Sequence, residues 1–374
     1  MFSASTKLFL NIAAGSLRPG HPSYLVLFVT SRCNCRCPMC FNWQNVTSRH
    51  EARSELQIDE IEKIAQSMAP LPQLLLSGGE PFMRDDIPEI VHAFYKYSHT
   101  RQISIPTNGT LTSRIEKNVT AMLESCPEAY FNLNLSLDGI GKQHDVSRGL
   151  DGCFDRLTDT YRRLEKVRDN NSRLSVNFLT VIKKTNTGEI TEILRYVKDN
   201  FKPNYHAVGL IRGDVCLTDE KDFCVEDAER LIEGIHGNKE TFGNLPVFQR
   251  IAPAVGSLTN KLLKDMRVRK ERRFNCLAGR KMVVITQDGL LMPCEPLWLE
   301  PDTRHGKRVA DFVMGDLKDY GFDVEKALKS PEAKRVLKFI SDRKCFCQYD
   351  CAVMNSIIYC PLMGHKLLAE IFRQ

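Results

Sequence analysis

The sequence predicts an α/β protein: a partial, TIM-like (β/α)6 barrel followed by a small α+β domain built around a β-hairpin. Three observations predict it. Six short apolar runs alternate with amphipathic helical stretches between Tyr24 and about Val225. Strand–helix repeats of this kind imply parallel strands joined by right-handed crossovers. After about Cys224 a basic stretch, a hairpin signal and a cysteine-rich segment replace the repeat. Six runs fall short of the eight strands of a closed barrel, so the barrel is read as open, with its chemistry at the C-terminal ends of the strands.

The strand candidates, in order, are Tyr24–Thr30, Gln73–Ser77, Gln102–Pro106, Phe131–Leu137, Leu174–Val181 and Ala207–Ile211. Between them the spacing predicts helices over Ile58–Met68, Asp86–Tyr97, Ser113–Ser125, Cys153–Arg168 and Gly188–Asn200. These bounds divide the chain into an N-terminal extension (1–23), the barrel (24–225) and a C-terminal domain (226–374). In the last, Glu226–Ile235 reads as helix, Lys239–Pro246 as loop, and Leu258–Arg273 as a basic amphipathic stretch. Met282–Pro293 reads as a hairpin turning at Asp288-Gly289, and Ser330–Ser341 as a further helix.

Composition narrows the function classes. The chain has 374 residues, 43% of them hydrophobic and 26% charged, which suits a globular protein with a sizeable core. No apolar run is long enough to span a bilayer. The apolar patch Leu8–Ala14 lacks the basic flank and long apolar core of a signal peptide, so a cytoplasmic location is expected. The patch reads as a short amphipathic helix, or as a weak membrane-surface contact. A net charge of +6 suits an anionic cofactor or substrate but gives no ground to expect nucleic acid. The basic run Lys264–Arg273 reads first as a solvated helix face, and second as a surface for phosphates, an acidic peptide or a membrane.

Fourteen cysteines are present, and nine lie in two tight groups or flank the hairpin between those groups. Thiols this close in sequence favour metal or Fe–S ligation over disulfides. The first group follows the first strand: Cys33, Cys37 and Cys40, with three and then two residues between them. Three thiolates on a [4Fe–4S] cube leave one iron open to a chelating cofactor. Phe41 would cover the cluster or a cofactor base. Zinc is the alternative occupant. Cys35 alternates with these ligands and is expected to point away. Cys126, Cys153, Cys216 and Cys224 are scattered and read as small buried hydrophobes.

Several further motifs follow in order at successive strand ends. They are Gly78-Gly79-Glu80-Pro81, Thr107-Asn108-Gly109, Ser136-Leu137-Asp138-Gly139 and His144-Asp145-Val146-Ser147-Arg148-Gly149. With the Cys33–Cys40 loop, which resembles the CxxxCxxC signature, they resemble the radical S-adenosylmethionine (radical SAM) superfamily over roughly residues 24–215. Gly78 and Gly79 allow close backbone approach, and Glu80 or the carbonyls there can accept from the SAM amino group; the resemblance makes Asn108 a further cofactor-binding position and implies that Ser136 and Arg148 contact the SAM ribose and carboxylate. It implies a reduced cluster that splits SAM to a 5′-deoxyadenosyl radical, which then abstracts hydrogen from a substrate. A flavodoxin or ferredoxin would supply the electron.

Cys276 and Cys294 flank the hairpin, and Cys345, Cys347, Cys351 and Cys360 follow. This segment resembles the SPASM/twitch extension, which carries auxiliary Fe–S clusters. One auxiliary [4Fe–4S] cluster is expected, on Cys276, Cys294 and two of Cys345, Cys347 and Cys351; Cys360 reads as a spare ligand or a core thiol. Four thiolates would suit zinc equally well. In the similar sulfatase-maturing enzymes an acid in this region serves as a base, which makes Glu295 a candidate catalytic residue; a solvated turn carboxylate is the other reading. The favoured substrate is a small molecule (sugar, nucleotide or lipid-linked), because only 23 residues precede the first strand and leave no room for a leader-peptide-binding domain. Peptide maturation, radical methylation or carbon-chain joining, and a zinc-organised protein without catalysis are the alternatives.

Overall fold

The computed structural model describes residues 20–47, 55–236, 251–299, 306–345 and 349–373. The N-terminal apolar patch, the expected loop Lys239–Pro246 and Cys347 lie outside the described residues.

Six parallel strands form where the apolar runs predict them: β1 (Tyr24–Thr30), β2 (Gln73–Gly78), β3 (Gln102–Thr107), β4 (Tyr130–Ser136), β5 (Leu174–Ile182) and β6 (His206–Leu210). They pair in sequence order, β1 to β6, and the sheet does not close. The crossovers are helices within two residues of the expected bounds, for example Ile58–Ser67 and Ile190–Asn200.

Parallel strands covered on both faces usually read as continuous apolar runs. Here β4 alternates instead. Phe131, Leu133 and Leu135 enter the apolar core, each contributing roughly 1.5–3 kcal/mol on full burial. Asn134 and Ser136 line an internal cavity. A polar ladder crosses this inner face: Asn134 Nδ2 donates to Ser104 Oγ at 2.8 Å, and Asn177 Nδ2 donates to Asn134 Oδ1 at 3.1 Å. The barrel interior is therefore partly hydrophilic, which suits a ligand site better than a sealed core.

The hairpin forms as β7 (Met282–Ile285) and β8 (Leu290–Met292), turning at Asp288-Gly289. Its placement could not be read from the sequence. β7 pairs in parallel with β1, Tyr24 opposite Met282, and a short β9 (Gly315–Asp316) follows, giving one nine-stranded sheet. All four β7 residues are buried, as a strand inserted beside β1 requires. Beyond it, the helix Ile251–Arg269 packs against the helices Asp350–Tyr359 and Gly364–Arg373. That packing makes a second apolar cluster around Leu258, Met266 and Ile357. The basic stretch is thus a helix that starts seven residues before the expected bound.

The helix Cys153–Asp169 starts without a local side-chain cap. Asp145 supplies one from a distance: its carboxylate accepts from the amides of Gly152 at 2.8 Å and Phe154 at 2.9 Å. Asp145→Ala should remove both bonds and lower stability by about 2 kcal/mol. Urea denaturation should show a lower midpoint with an unchanged slope.

Candidate functional site

The cysteine loop is held from two sides. On one, the Gly79 amide donates to the Thr30 carbonyl and the Glu80 amide to the Arg32 carbonyl, each at 2.8 Å. The backbones approach so closely that a Cβ on Gly79 would lie 2.1 Å from the Arg32 oxygen, and one on Gly78 2.3 Å from the Thr30 oxygen. Only glycine fits at either position. On the other side, the Arg36 amide donates to the Arg148 carbonyl at 2.9 Å. Gly149, at φ +59°, leaves 2.5 Å between an added Cβ and the Arg36 oxygen. The Arg36 guanidinium folds back onto the carbonyls of Cys33 (2.7 Å) and Cys35 (2.8 Å). Asn34 and Asn108 tie the loop to the end of β3: Asn108 Nδ2 donates to Asn34 Oδ1, and Asn34 Nδ2 to Thr110 Oγ1, both at 2.8 Å.

Cys33, Cys37 and Cys40 are partly exposed and line one wall of a 790 Å³ cavity. A hydrogen bond from Cys35 pulls the Cys37 thiol down to about 6 against the cost of burial, with the Arg148 charge assisting. Burial and the Cys37 charge push the Cys40 thiol up to about 12. Cys35 does not point away as expected. It is buried, and its thiol bonds with those of Cys153, Cys33 and Cys37, which hold its proton on. Cys153 is accordingly buried against the cluster loop, with its Sγ 3.5 Å from His144 Nε2. The other scattered thiols divide: Cys126 is buried as read, whereas Cys216 and Cys224 are exposed.

Among the described residues no three Cys, His, Asp or Glu side chains converge closely enough to hold one metal ion. A cube spreads its thiolate ligands over separate irons, so the donor set of Cys33, Cys37 and Cys40 on one loop fits a polynuclear cluster.

The positions expected to meet SAM line the same cavity: Gly78, Gly79, Glu80, Asn108, Ser136 and Arg148. Glu80 also orders the end of β3. Its carboxylate accepts from Thr107 Oγ1 at 2.8 Å and from the amides of Asn108 at 2.7 Å and Phe82 at 3.2 Å. Burial lifts its pKa to about 7 against those bonds. Arg148 pairs with the buried Asp138, yet its Nε is buried without a hydrogen-bond partner among the described residues. Arg148 lines the cavity, where a guanidinium suits a carboxylate. His144 is structural. Burial, aided by Arg148 and Lys183, pushes it down to about 2, and its Nδ1 accepts from the Asp138 amide at 3.2 Å.

The opposite wall comes from the C-terminal part. Glu295 is 2% exposed, so the solvated reading of this residue is incorrect. Burial raises its pKa, Arg212 opposes this, and Asp350 adds to it. Glu295 Oε2 has no hydrogen-bond partner among the described residues. Arg212, just beyond β6, was not legible in the sequence. Its guanidinium carbon lies 5.4 Å from the Phe41 ring centre and 4.8 Å from that of Tyr349. It also pairs with Asp350 and lies 3.9 Å from Cys351 Sγ. Phe41 therefore stacks on Arg212 and meets Tyr349 edge-on, joining the cysteine loop to the C-terminal wall.

The remaining C-terminal cysteines divide. Arg272 Nη1 lies 3.1 Å from Cys345 Sγ and also bonds the Cys276 thiol, so one guanidinium gathers that pair. Cys294 is buried at the base of the hairpin, where the Gly279 amide donates to the Pro293 carbonyl at 3.0 Å. Cys351 stands with Glu295 and Arg212 on the cavity wall, and Cys360 is a core thiol. The basic run is not simply a solvated face: Lys264 and Arg267 line the cavity and Arg272 reaches Cys345.

The family model described as the radical SAM superfamily matches residues 27–197, the segment that carries the cysteine loop and the strand-end motifs. Residues 27–197 are a radical SAM domain. Members of that superfamily are enzymes that use a [4Fe–4S] cluster and SAM. Among curated radical SAM relatives, the chain is 29% identical over 210 residues to the Fe-coproporphyrin III synthase of Methanosarcina barkeri, covering 55% of this chain and 48% of that protein. It is 32% identical over 181 residues to the GTP 3′,8-cyclase of Listeria monocytogenes, covering 47% and 50%. The match thus spans about half the length of each of these two relatives. In fold it resembles anSMEcpe with bound AdoMet, with TM-score 0.60 and 16% identity over 94% of this chain and 92% of that one. It also resembles Streptococcus suis SuiB bound to S-adenosylmethionine, with TM-score 0.58 and 20% identity over 86% and 68%. The first likeness of fold extends through the C-terminal part. No helix among the described residues is long and apolar enough to cross a membrane.

Proposed function

We propose that this radical SAM protein is an oxidoreductase that removes hydrogen from a small hydroxylated molecule (sugar, nucleotide or lipid-linked), with Glu295 taking the substrate proton. The observation that carries this is the shared cavity: Glu295, buried with one orphaned oxygen, faces the same space as Cys33, Cys37 and Cys40. When bound, the cofactors would supply the one-electron chemistry, with SAM as the source of the 5′-deoxyadenosyl radical and an auxiliary cluster as the acceptor for the second electron.

The chain's own residues do the rest. Cys33, Cys37 and Cys40 would hold the SAM-binding cluster. Gly78, Gly79 and Glu80 let the backbone approach the cofactor, Asn108 fixes the neighbouring loop, Ser136 offers a hydroxyl, and the Arg148 guanidinium on the cavity wall offers a donor to a carboxylate. Cys276, Cys294, Cys345, Cys347 and Cys351 supply the candidates for the auxiliary cluster, within a C-terminal domain that we place at 226–374. The cavity is within the roughly 300–1,000 Å³ range of small-ligand sites and has to take SAM as well, so the remaining room suits a small molecule. It equally admits a single side chain. The fold likeness to anSMEcpe with a bound peptide, at TM-score 0.59, makes peptide modification the second reading. A cytoplasmic flavodoxin or ferredoxin is the electron donor that we expect.

Glu295→Gln tests the assignment. In anaerobic reactions of reduced enzyme with SAM and a panel of hydroxylated small molecules, it should keep 5′-deoxyadenosine formation within about threefold of wild type. Loss of two hydrogens from the substrate, read by mass, should fall by roughly 10²–10⁴-fold. Undiminished substrate oxidation in the variant, or oxidation of peptides alone by the wild type, contradicts this reading.

A further inference from the structure

The helix Ile251–Arg269 turns one face to the cavity: Asn260, Leu263, Lys264 and Arg267, at the spacing of a single helical stripe. Arg267 pairs through Nη2 with Glu229, on the neighbouring helix Val225–His236. Its Nε is buried and has no hydrogen-bond partner among the described residues. The Arg267 side chain as a whole lies on the cavity wall, where an anionic acceptor can meet the guanidinium. The charge around it points the same way. Lys221, Lys264 and Arg267 bring three cations to the cavity wall against the acid Glu229, while Arg212 stands with Asp350 and Glu295. Leu263 and Ile232 are apolar neighbours on the same wall, and water excluded by them strengthens each charge.

We propose that this wall is a subsite for an anionic group of the substrate, a phosphate or a carboxylate, gripped by the Arg267 guanidinium and the Lys264 ammonium. Glu295, on another part of the same cavity, receives the hydroxyl of the same molecule. The substrate class is then an alcohol that carries an anionic group away from the reacting carbon. The basic run in the sequence accordingly serves recognition rather than solubility. The hydroxyl half of this inference rests on the reading of Glu295 given above; the anion subsite does not.

Isothermal titration of the SAM-saturated holoenzyme tests it, with inorganic pyrophosphate and malonate as separate probes. Wild type should bind at least one of them saturably, and more weakly as salt rises. Arg267→Gln should weaken that binding about tenfold or more, and Lys264→Gln, which leaves the Glu229 pair intact, several-fold. Binding of pyrophosphate alone assigns a phosphate, and of malonate alone a carboxylate. Failure of wild type to bind either probe, or wild-type affinity in both variants, overturns the subsite. These titrations need no turnover, so they separate loss of the subsite from failure of Glu295 as the base.

Discussion

Cys37→Ala should cut reductive cleavage of SAM to 5′-deoxyadenosine by more than roughly 10³-fold, beyond the roughly 10–100-fold that follows loss of a residue behind a metal ligand. Cys37 is the thiol of the loop that is most readily ionised, through the Cys35 hydrogen bond and the Arg148 charge. In the proposed ligand set, its loss would take away one of three thiolates from a cube that leaves one iron to the cofactor. The protein should still fold, because the loop is also held through the backbones of Gly79, Glu80 and Arg148. Cys35→Ala gives the contrast: iron content should stay near wild type. Circular dichroism, iron analysis and chromatographic detection of 5′-deoxyadenosine on the same preparations check all three statements. Cleavage by Cys37→Ala at a wild-type rate would remove Cys37 from the ligand set.

Gly79→Ala should be among the most damaging single methyl additions. The new Cβ would lie 2.1 Å from a backbone oxygen and 2.6 Å from a backbone carbon of Arg32, and neither can swing aside as a side-chain tip can. Relief requires the ends of β1 and β2 to separate, breaking the Gly79–Thr30 and Glu80–Arg32 hydrogen bonds that seat the cysteine loop. Overpacking of this kind costs about 3 kcal/mol, which should lower Tm by about 4 °C. Iron retention should fall with it. Gly188→Ala is the control: no atom lies within 4 Å of its added Cβ, and Tm should stay within about 1 °C of wild type. Equal Tm values for the two variants would show that the loop is not seated as described.

The barrel was legible in the sequence because runs such as YLVLFVT and LSVNFLTV carry strand pattern, length and punctuation together. The cysteine loop and the glycines of β2 were legible because their spacing serves chemistry. Three things were not. The seating of β7 beside β1 depends on which sheet edge lies open, a tertiary fact absent from the local pattern of MVVI. Arg212 is a lone arginine after a strand, and its role comes from Phe41 and Tyr349, 171 and 137 positions away in the chain. The inward turn of Lys264 and Arg267 was hidden because a basic helix has the same composition whether its charges meet water or a cavity. Cys35 was misjudged for a related reason: alternation along an irregular loop does not set side-chain direction as it does in a strand.

The proposed ligand sets put separate clusters on the cysteine loop and on the C-terminal cysteines, of which Cys351 lines the cavity. Iron per chain, measured with 5′-deoxyadenosine formation after anaerobic reconstitution, tests this assignment most directly in wild type and in a variant with Cys33, Cys37 and Cys40 all replaced by alanine. Wild type should hold about eight irons and cleave SAM, and the triple variant should hold about four irons and show no cleavage. Stoichiometric zinc in place of iron in wild type, or SAM cleavage persisting in the triple variant, would contradict the assignment.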